Sequence, residues 1–497
     1  MNHQTQRLTK YLIIGLLLVH LIPVWAFKFI PTQDGLNHVY NAYILKEYNN
    51  PNYTKFRQVY DLNIRPFPNW VSHAFFFAAL HFVPPLIAEK IFVTLCVSLV
   101  PLSFFYFLHS VDKRLWFFGF LGFLYSYNVL LHLGFYNFAI SVPVSFFTLG
   151  YWWKHRENLS YVNAIILNLL LFTAYFCHLF SFSLLIASIP VLALTSAVLP
   201  WDEPKPLKQR VWMLLRSAGC LMPACIVLLI CLLLNPEEKT ASYWNLKDLW
   251  KFFVSVKSLV YYNDRYEVIS WFLLGFMGLC FLSTLWFKFR HSFHQRDGFL
   301  ILFVVLTVLY FRLPWSYGPP AWINDRINLF LFPVLAAWFS FSYHKWIKTG
   351  MIAIMIILSL AHLVLTVRDY DLLNKDMEEF TSGAGLIAEN SAVSILTNDY
   401  QFAENHGEIK YLSPFYHDTC YYCLGNGSHY VANYEPKYAY FPLQYKPGYW
   451  KFEYNGVIDY MLVWHMDENS PEVAQLKQNY RLIHQTRNLK LFQYRNR

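Results

Sequence analysis

Long apolar runs separated by short polar segments dominate the chain. The first run covers residues 11–30, and ten more follow at about 88–109, 115–131, 134–153, 161–178, 180–199, 213–234, 268–287, 298–312, 327–343 and 350–366. A helix of roughly 20 apolar residues crosses the hydrocarbon core of a bilayer. The pattern therefore predicts an α-helical polytopic membrane protein with about eleven transmembrane helices.

One shorter apolar segment, residues 70–83, is ambiguous by length. It is interrupted by His73 and His81 and ends at Pro84 and Pro85. A span needs more apolar residues than this, and proline ends a helix. We predict an interfacial helix here, which leaves the count at eleven.

Basic residues support this count and orient the chain. Arg7 and Lys10 precede the first run, and alternate later loops carry Lys113, Arg114, Lys154, Arg156, Lys205, Lys208, Arg210, Lys288, Arg290, Arg296, Lys345 and Lys348. Basic loops favour the cytoplasmic side. We predict a multi-pass protein of the plasma (inner) membrane, with the first run retained as a signal-anchor, a cytoplasmic N-terminus and an extracytoplasmic C-terminus.

Composition agrees with this class. The chain is 56% hydrophobic and 14% charged, against roughly 25% charged residues in soluble domains. The net charge of +9 comes from short clusters between apolar runs, where basic residues orient spans, so nucleic acid is excluded as a partner. The aromatic content of 20% fits interfacial belts and would also supply flat faces for sugar rings or isoprenoid chains.

The pattern changes near residue 369, where apolar runs shorten and turn residues appear. Strands are predicted at 392–396, 456–464 and 489–494, and a helix at 471–479. We therefore divide the chain into a transmembrane domain, 1–368, and a small extracytoplasmic α/β domain, 369–497. Further predicted features are outer loops at 31–69, 235–267 and 312–326, and an amphipathic helix at 244–262.

Asp34 lies in Gln33-Asp34-Gly35, a few positions after the first run and on the predicted outer face. A carboxylate whose pKa is tuned by its surroundings can act as a general base, although it can also simply cap a helix end. Further polar residues fall at span ends near the same face and form a candidate site with Asp34: His38, His132, Asn137 and His178.

Arg326 follows Asp325 and opens the predicted span 327–343, after an aromatic, proline-rich loop at 314–322. The planar guanidinium fork can hold two phosphate oxygens, which makes Arg326 a candidate for binding a lipid phosphate. The alternatives are an ion pair with Asp325 that closes the helix end, or a side chain that extends to the headgroups.

Metal ligation stays open at two places. His38, His132 and His178 are zinc-binding residue types, but unrelated histidines at span ends are the simpler interpretation, so no metal ligand is assigned. In the C-terminal part, Cys420 and Cys423 lie between His417 and His429. Their spacing permits a disulfide, a zinc site or neither.

Several segments follow one another in a recognisable order: Gln33-Asp34-Gly35, the helix 70–83, the span 88–109 with Asp112-Lys113-Arg114, His132-Leu133-Gly134-Phe135-Tyr136-Asn137-Phe138, Tyr175-Phe176-Cys177-His178 and Asp325-Arg326. This order resembles the GT-C superfamily of membrane glycosyltransferases, which includes protein-mannosylating and aminoarabinose-transferring enzymes. Members have a first span, an outer loop that begins with a catalytic acid, an interfacial helix and a span that ends in cytoplasmic basic residues.

The resemblance implies an inverting glycosyltransferase of glycan biosynthesis in the cell envelope. Asp34 would deprotonate an acceptor hydroxyl of a glycan, lipid or protein while the sugar leaves its polyprenyl-phosphate carrier, and Arg326 would hold the leaving phosphate. Many members carry another acid in the second outer turn, often with a divalent cation. This chain has His132 and Asn137 there, so a requirement for a divalent cation stays open. The resemblance then implies that the span-end residues orient the phosphate or the acceptor instead: His38, His132, Asn137 and His178.

Two other functional classes remain. A transporter or flippase of a lipid-linked sugar or envelope precursor would spread polar residues through its spans. An inactive scaffold of envelope assembly would need neither Asp34 nor Arg326. Because the polar residues gather near one predicted face, we favour the enzyme.

Overall fold

The computed structural model describes residues 3–201, 205–234, 240–289, 293–318, 321–340, 342–397, 409–450, 454 and 456–495. The chain forms two compact units. The first comprises Met1–Leu21, Leu95–Leu130 and Phe138–Leu365, and the second comprises Ile22–Thr94, Leu131–Asn137 and Thr366–Arg497. The parts of the sequence predictions that lie outside the described residues include Arg290, residues 235–239 at the start of the second predicted outer loop, and Pro319 and Pro320 of the third.

Helices account for most of the described residues. The α-helices are α1 His3–His20, α2 Ile22–Ala26, α3 Gly35–Glu47, α4 Thr54–Val59, α5 Val71–Ala79, α6 Pro85–Val111, α7 Leu121–Tyr125, α8 Val129–His132, α9 Tyr136–His155, α10 Tyr161–Cys177, α11 Leu179–Val198, α12 Leu207–Leu234, α13 Leu246–Val254, α14 Arg265–Lys288, α15 Gly298–Arg312, α16 Ile323–Ala336, α17 Lys345–Phe380 and α18 Pro471–Asn479. Short 3-10 helices lie at Lys113–Phe120, Lys257–Leu259, Gln295–Asp297, Thr381–Leu386, Asp418–Tyr422 and Glu435–Lys437.

Seven helical stretches within the described residues are long and apolar enough to cross a membrane: Gln6–Ala26, Pro85–Val111, Lys113–His132, Leu179–Val198, Leu207–Leu233, Arg265–Lys288 and Lys345–Leu386. The chain is therefore a multi-pass membrane protein. The other predicted spans correspond to α9, α10, α15 and α16, of which α15 has 15 residues and α16 has 14. The count of eleven stays a prediction.

In the first unit, α11 packs against α10, α12 and α15, and α15 packs against α16. Every residue of α16, Ile323–Ala336, is buried. A helix buried on all sides is expected to be apolar throughout, yet the first turn of α16 contains Asn324, Asp325 and Arg326. Buried polar groups are costly unless they are paired or functional, so this turn is a candidate site.

The predicted interfacial helix forms in the second unit as α5, which is nine residues long. It packs against α3, and a turn at 80–84 leads into α6 at Pro85. The helix is confirmed, and its location at the membrane interface stays a prediction. In the first unit the predicted helix at 244–262 is shorter, because α13 ends at Val254 and Val256 adopts a left-handed backbone conformation with φ 44°.

The nine strands of the described residues are β1 Tyr60–Leu62, β2 Ala241–Ser242, β3 Ser316–Tyr317, β4 Ala392–Leu396, β5 His429–Tyr430, β6 Leu443–Tyr445, β7 Tyr460–Trp464, β8 Tyr480–Gln485 and β9 Leu489–Tyr494. In the second unit, five of them form a sheet of order β5-β4-β7-β9-β8. β4 is parallel to β5 and β7, whereas β9 is antiparallel to β7 and β8. The predicted strands at 392–396 and 489–494 are confirmed, and the one at 456–464 begins at Tyr460.

The predicted helix at 471–479 is confirmed as α18. Its start is defined locally, because the Ser470 side chain accepts a hydrogen bond from the backbone N–H of Val473, and Pro471 occupies the first helical turn. Val473 then packs into a small core with Val463, Met466 and Phe492. Local capping and one apolar contact with the sheet thus fix this helix.

The C-terminal residues and the first predicted outer loop belong to the same compact unit. β1 of the loop pairs with β6 in an antiparallel ladder that sets Tyr60 opposite Tyr445 and Leu62 opposite Leu443. Asn63 adds hydrogen bonds from its side-chain amide to the carbonyls of Ala439 and Phe441, both 2.8 Å long. The division of the chain into domains 1–368 and 369–497 stays a prediction.

Candidate active site

Asp34 lies immediately before α3, whose residues Gly35–Ile44 are all buried. The backbone of Asp34 is held in place: its carbonyl accepts a 3.0 Å hydrogen bond from the N–H of Asn37. Its side chain makes no capping hydrogen bond and is buried, with 7% of the residue exposed. The helix-cap alternative is therefore wrong for the side chain, and the carboxyl group is available for other chemistry.

The segment Leu131–Asn137, which belongs to the same unit, lies against Asp34. The N–H of Gln33 donates to the carbonyl of His132 at 2.9 Å, and the N–H of Asp34 donates to that of Leu133 at 3.1 Å. We call these two hydrogen bonds the backbone clasp. The two sequence motifs that surround Asp34 and His132, although about 100 residues apart, are thus one structural element.

Two glycines allow the clasp to form. Gly134 has φ +77°, and a Cβ there would lie 2.2 Å from the backbone nitrogen of Gly35. A Cβ on Gly35 would lie 2.3 Å from both Thr32 Oγ1 and Tyr136 Oη. Backbone segments can approach this closely only where no side chain intervenes, so the glycines in Gln33-Asp34-Gly35 and His132-Leu133-Gly134 have a packing role.

The surroundings of Asp34 favour its protonated form. Burial raises the pKa of Asp34 to about 8, a hydrogen bond from the Gln33 side chain opposes the rise, and the negative charge of Glu435 adds to it. His417 Nε2 lies 3.7 Å from Asp34 Oδ1, and the carboxylate charge also acts on the phenols of Tyr416 and Tyr434. A buried acid with an elevated pKa is a candidate for proton transfer near neutral pH.

One helical turn further along α3, His38 belongs to a histidine–glutamate cluster with His73 and Glu435. His38 Nδ1 lies 2.6 Å from Glu435 Oε1, and His73 Nε2 lies 2.7 Å from Glu435 Oε2. Burial alone would raise the pKa of Glu435, but the charges and hydrogen bonds of the two histidines outweigh it and lower that pKa to about 2. Between these two pKa values, Glu435 is ionised while Asp34 is protonated.

The other predicted residues of this unit have structural partners. Asn137 accepts a 2.8 Å hydrogen bond from the N–H of Ser72 and donates a 2.9 Å bond to the carbonyl of Asn69, which fixes the start of α5. His132 Nε2 lies 3.3 Å from the hydroxyl of Tyr370. Asn137 and His132 thus have structural partners of their own, and a requirement for a divalent cation stays open.

Sequence reasoning missed three buried carboxyl groups, which are those of Glu435, Glu89 and Asp418. The hydroxyl of Tyr136 donates a 2.6 Å hydrogen bond to Glu89 Oε1. Asp418 is buried, and burial together with the charge of Glu89 holds the pKa of Asp418 well above its usual range. Glu89 was detectable, because an acidic residue at the start of an otherwise apolar span is a functional signal by itself. Glu435 and Asp418 carried no local signal in the sequence.

In the first unit, Arg326 and His178 meet. Arg326 Nη1 lies 3.2 Å from His178 Nε2, and the guanidinium lies 5.3 Å from the ring centre of Phe138. His178 Nδ1 also lies 3.1 Å from the N–H of Phe180, which it caps. A neutral imidazole has one unprotonated nitrogen, so it can accept only one of these two hydrogen bonds at a time. The pairing of His178 with Arg326 agrees with the predicted phosphate-binding role of both.

The sequence-predicted residues therefore fall into two groups. Asp34, His38, His132 and Asn137 belong to the second unit, and His178 and Arg326 belong to the first. The meeting of Asp34 and Arg326 in one cavity stays a prediction. Cys420 and Cys423, left open between three alternatives, are buried free cysteines.

Comparisons with known proteins bear on the fold. No family model and no curated protein matches the sequence. Among solved structures, the chain is similar to the cryo-EM structure of the arabinofuranosyltransferase AftD from Mycobacteria, with a TM-score of 0.50 and 10% identity. The match covers 98% of this chain and 40% of that chain, so this protein spans about two fifths of the length of that structure.

This likeness is one of fold. The chain is a multi-pass membrane protein whose fold is similar to that of this arabinofuranosyltransferase, which supports the resemblance predicted from the sequence. At 10% identity, the likeness assigns no substrate and no residue role.

The packing at Gly134 generates a stability prediction. Gly134→Ala introduces a left-handed alanine and a clash with the backbone at Asp34 and Gly35. We expect it to lower the free energy of unfolding by more than about 3 kcal/mol, because the conformation alone costs about 1–2 kcal/mol. The measurement is thermal unfolding of the purified protein in detergent.

The matched control is Gly425→Ala. Gly425 has φ +85°, but nothing lies within 4 Å of an added Cβ. This variant should lose only the conformational contribution of about 1–2 kcal/mol. Equal destabilisation of the two variants would contradict a role for close packing in the backbone clasp.

Proposed function

We propose that this protein is an integral-membrane glycosyltransferase that moves a sugar from a polyprenyl-phosphate carrier to an acceptor hydroxyl of a glycan, lipid or protein. The observation that carries the proposal is Asp34, a buried carboxyl group that makes no capping bond and is fixed by its backbone at the start of α3. We place the reaction at the outer face of the plasma membrane, with the N-terminus in the cytoplasm, because of the distribution of basic residues.

In the proposed reaction, Asp34 accepts the proton of the acceptor hydroxyl as the acceptor oxygen bonds to the anomeric carbon. The bond from that carbon to the phosphate oxygen breaks in the same step, so the configuration inverts and the carrier leaves as a polyprenyl phosphate. A base with a pKa near the working pH is efficient in such a transfer. The raised pKa of Asp34, about 8, meets this condition.

The leaving phosphate needs charge stabilisation more than protonation. Arg326 supplies a permanent cation, and its planar fork can bind two phosphate oxygens. His178 lies within 3.2 Å of Arg326 and is a second donor to the same phosphate when its Nε2 carries the proton. Because Arg326 is buried, its effect on a developing charge is larger than it would be in water.

A transporter or flippase of a lipid-linked sugar remains the alternative. The observation that favours it is the pair Glu89 and Lys90, which are both buried near the start of the long apolar helix α6. Buried charges of this kind can mark a transport pathway. The two functions are separable, because a glycosyltransferase turns over in detergent solution and a transporter requires two compartments.

Asp34→Asn tests the base. The substitution keeps the shape of the side chain and removes its basicity, so sugar transfer from a polyprenyl-phosphate sugar should fall by about 10²–10⁴-fold, while binding of the donor is retained. The measurement is release of polyprenyl phosphate from a panel of lipid-linked sugars by purified protein in detergent. Normal turnover in this variant would remove Asp34 as the base.

Two controls accompany this substitution. Asp61→Asn changes an exposed acid in the same loop and should leave transfer unchanged. Because folding raises the pKa of Asp34 from 3.8 to about 8, its contribution to stability is present at low pH and is lost as the pH rises through 8. The neutral Asn variant should therefore unfold at the same or a higher temperature than the wild type at pH 8, which separates lost chemistry from lost structure.

The pH dependence of transfer is a further prediction. Asp34 must be ionised to accept a proton, so kcat/KM should rise about tenfold per pH unit below the pKa and level off above pH 8. The groups that face Asp34 are Glu435, His417, Tyr416 and Tyr434. A flat profile between pH 6 and pH 9, by the same assay, would rule out this assignment.

Arg326→Ala tests the phosphate site. Loss of the guanidinium should raise the inhibition constant of free polyprenyl phosphate by about tenfold or more, and Arg326→Lys should recover only part of the affinity because it lacks the fork. The control is Arg312→Ala, an exposed arginine at the end of α15. Unchanged inhibition in Arg326→Ala would assign this residue a structural role.

A further inference from the structure

The histidine–glutamate cluster of His38, His73 and Glu435 is not used in the proposed transfer. Its members come from α3, from α5 and from the 3-10 helix Glu435–Lys437. They are almost fully buried, with exposed fractions of 4%, 0% and 0%. Because His73 and Glu435 are 362 positions apart in the chain, the cluster exists only in the folded protein.

The three side chains present ligand atoms to a common point. One nitrogen of each histidine and one oxygen of Glu435 lie within 4.8 Å of one another. His38 Nδ1 lies 2.6 Å from Glu435 Oε1 and His73 Nε2 lies 2.7 Å from Glu435 Oε2, so a nitrogen of each imidazole faces the same carboxylate. A metal ion bound here would take the place of the protons in these two contacts.

We propose that His38, His73 and Glu435 bind a divalent transition metal ion of the zinc class. Two imidazoles and one carboxylate form a donor set that suits Zn²⁺, with a fourth position left for water or a ligand. Alkaline-earth ions favour sets made of oxygen atoms alone. No redox chemistry is involved, since the ion only accepts electron pairs from the two nitrogens and the carboxylate oxygen.

The surroundings support an ion at this place. Phe441 packs against both imidazoles, with ring centres 6.2 Å from His38 and 5.6 Å from His73, and Tyr136 lies 5.9 Å from His38. Such an aromatic shell limits access of water and orients the ligand rings. An ion held here would link α3, which begins beside Asp34, to α5 and to the C-terminal part of the same unit.

This ligand set differs from the zinc alternative considered from the sequence, which combined His38 with His132 and His178. His132 lies beside Tyr370, and His178 lies beside Arg326 in the other unit. Only His38 is common to the two sets. The proposed ion is also separate from a cation on Asp34, and the inference does not depend on the glycosyltransferase activity.

Metal content tests the proposal directly. The full-length protein, purified in detergent after expression with added zinc and dialysed without chelator, should contain about one zinc ion per chain by inductively coupled plasma mass spectrometry. His73→Ala and Glu435→Gln should each lose most of it. The matched control is His81→Ala, which removes an exposed histidine just after α5 and should retain the ion.

A second measurement uses the wild-type protein alone and does not depend on the folding of variants. After removal of zinc by a chelator, addition of Co²⁺ should give the intense visible absorption of four- or five-coordinate cobalt, and Zn²⁺ should abolish it. Only the pale spectrum of hydrated Co²⁺, with no zinc retained after dialysis, would overturn the proposal. Zinc kept at the wild-type level in His73→Ala would overturn the assignment of the ligands.

Discussion

The backbone clasp between Gln33–Asp34 and His132–Leu133 is the constraint on which the candidate site depends. It consists of two main-chain hydrogen bonds, 2.9 and 3.1 Å long, so it fixes the backbone at Asp34 without using the side chain. It can form only because Gly134 brings no Cβ to the place where the two segments meet. The direction in which the Asp34 carboxyl points is therefore set by a segment from another part of the chain.

Asp34 and Glu435 show how one environment separates two carboxyl groups. Both are buried, and burial by itself raises the pKa of each. Glu435 has two histidines within 2.7 Å, and they lower the pKa of Glu435 to about 2. At Asp34 the His417 Nε2 atom lies 3.7 Å away, and the pKa of Asp34 rises to about 8. Pairs of acids with diverging pKa values are typical of sites where one acid exchanges protons and the other supplies a fixed charge.

The fold that this chain shares with the arabinofuranosyltransferase provides a scaffold for such a site but does not identify its substrate. The similar arabinofuranosyltransferase structure shares 10% identity and is more than twice as long, and one fold commonly hosts different substrates. What distinguishes this chain is local: buried polar residues in the first turns of α3 and α16, and a histidine–glutamate cluster that includes a residue from the C-terminal part. In the proposed transfer, the polar residues of α3 and α16, and not the architecture, would determine donor and acceptor.

The sequence by itself determined the class of protein, the apolar helical segments, the helix within 70–83 and the elements β4, β9 and α18, because apolar periodicity and short apolar runs act over a few positions. It also singled out Asp34 and Arg326 from their places at span ends. Only the tertiary structure decided the partners of these residues. Glu435 and Asp418 lie in short 3-10 helices that the sequence did not predict, and His73 was interpreted only as an interruption of an apolar segment. Their roles arise from burial and from contacts between positions hundreds of residues apart, which no local pattern encodes.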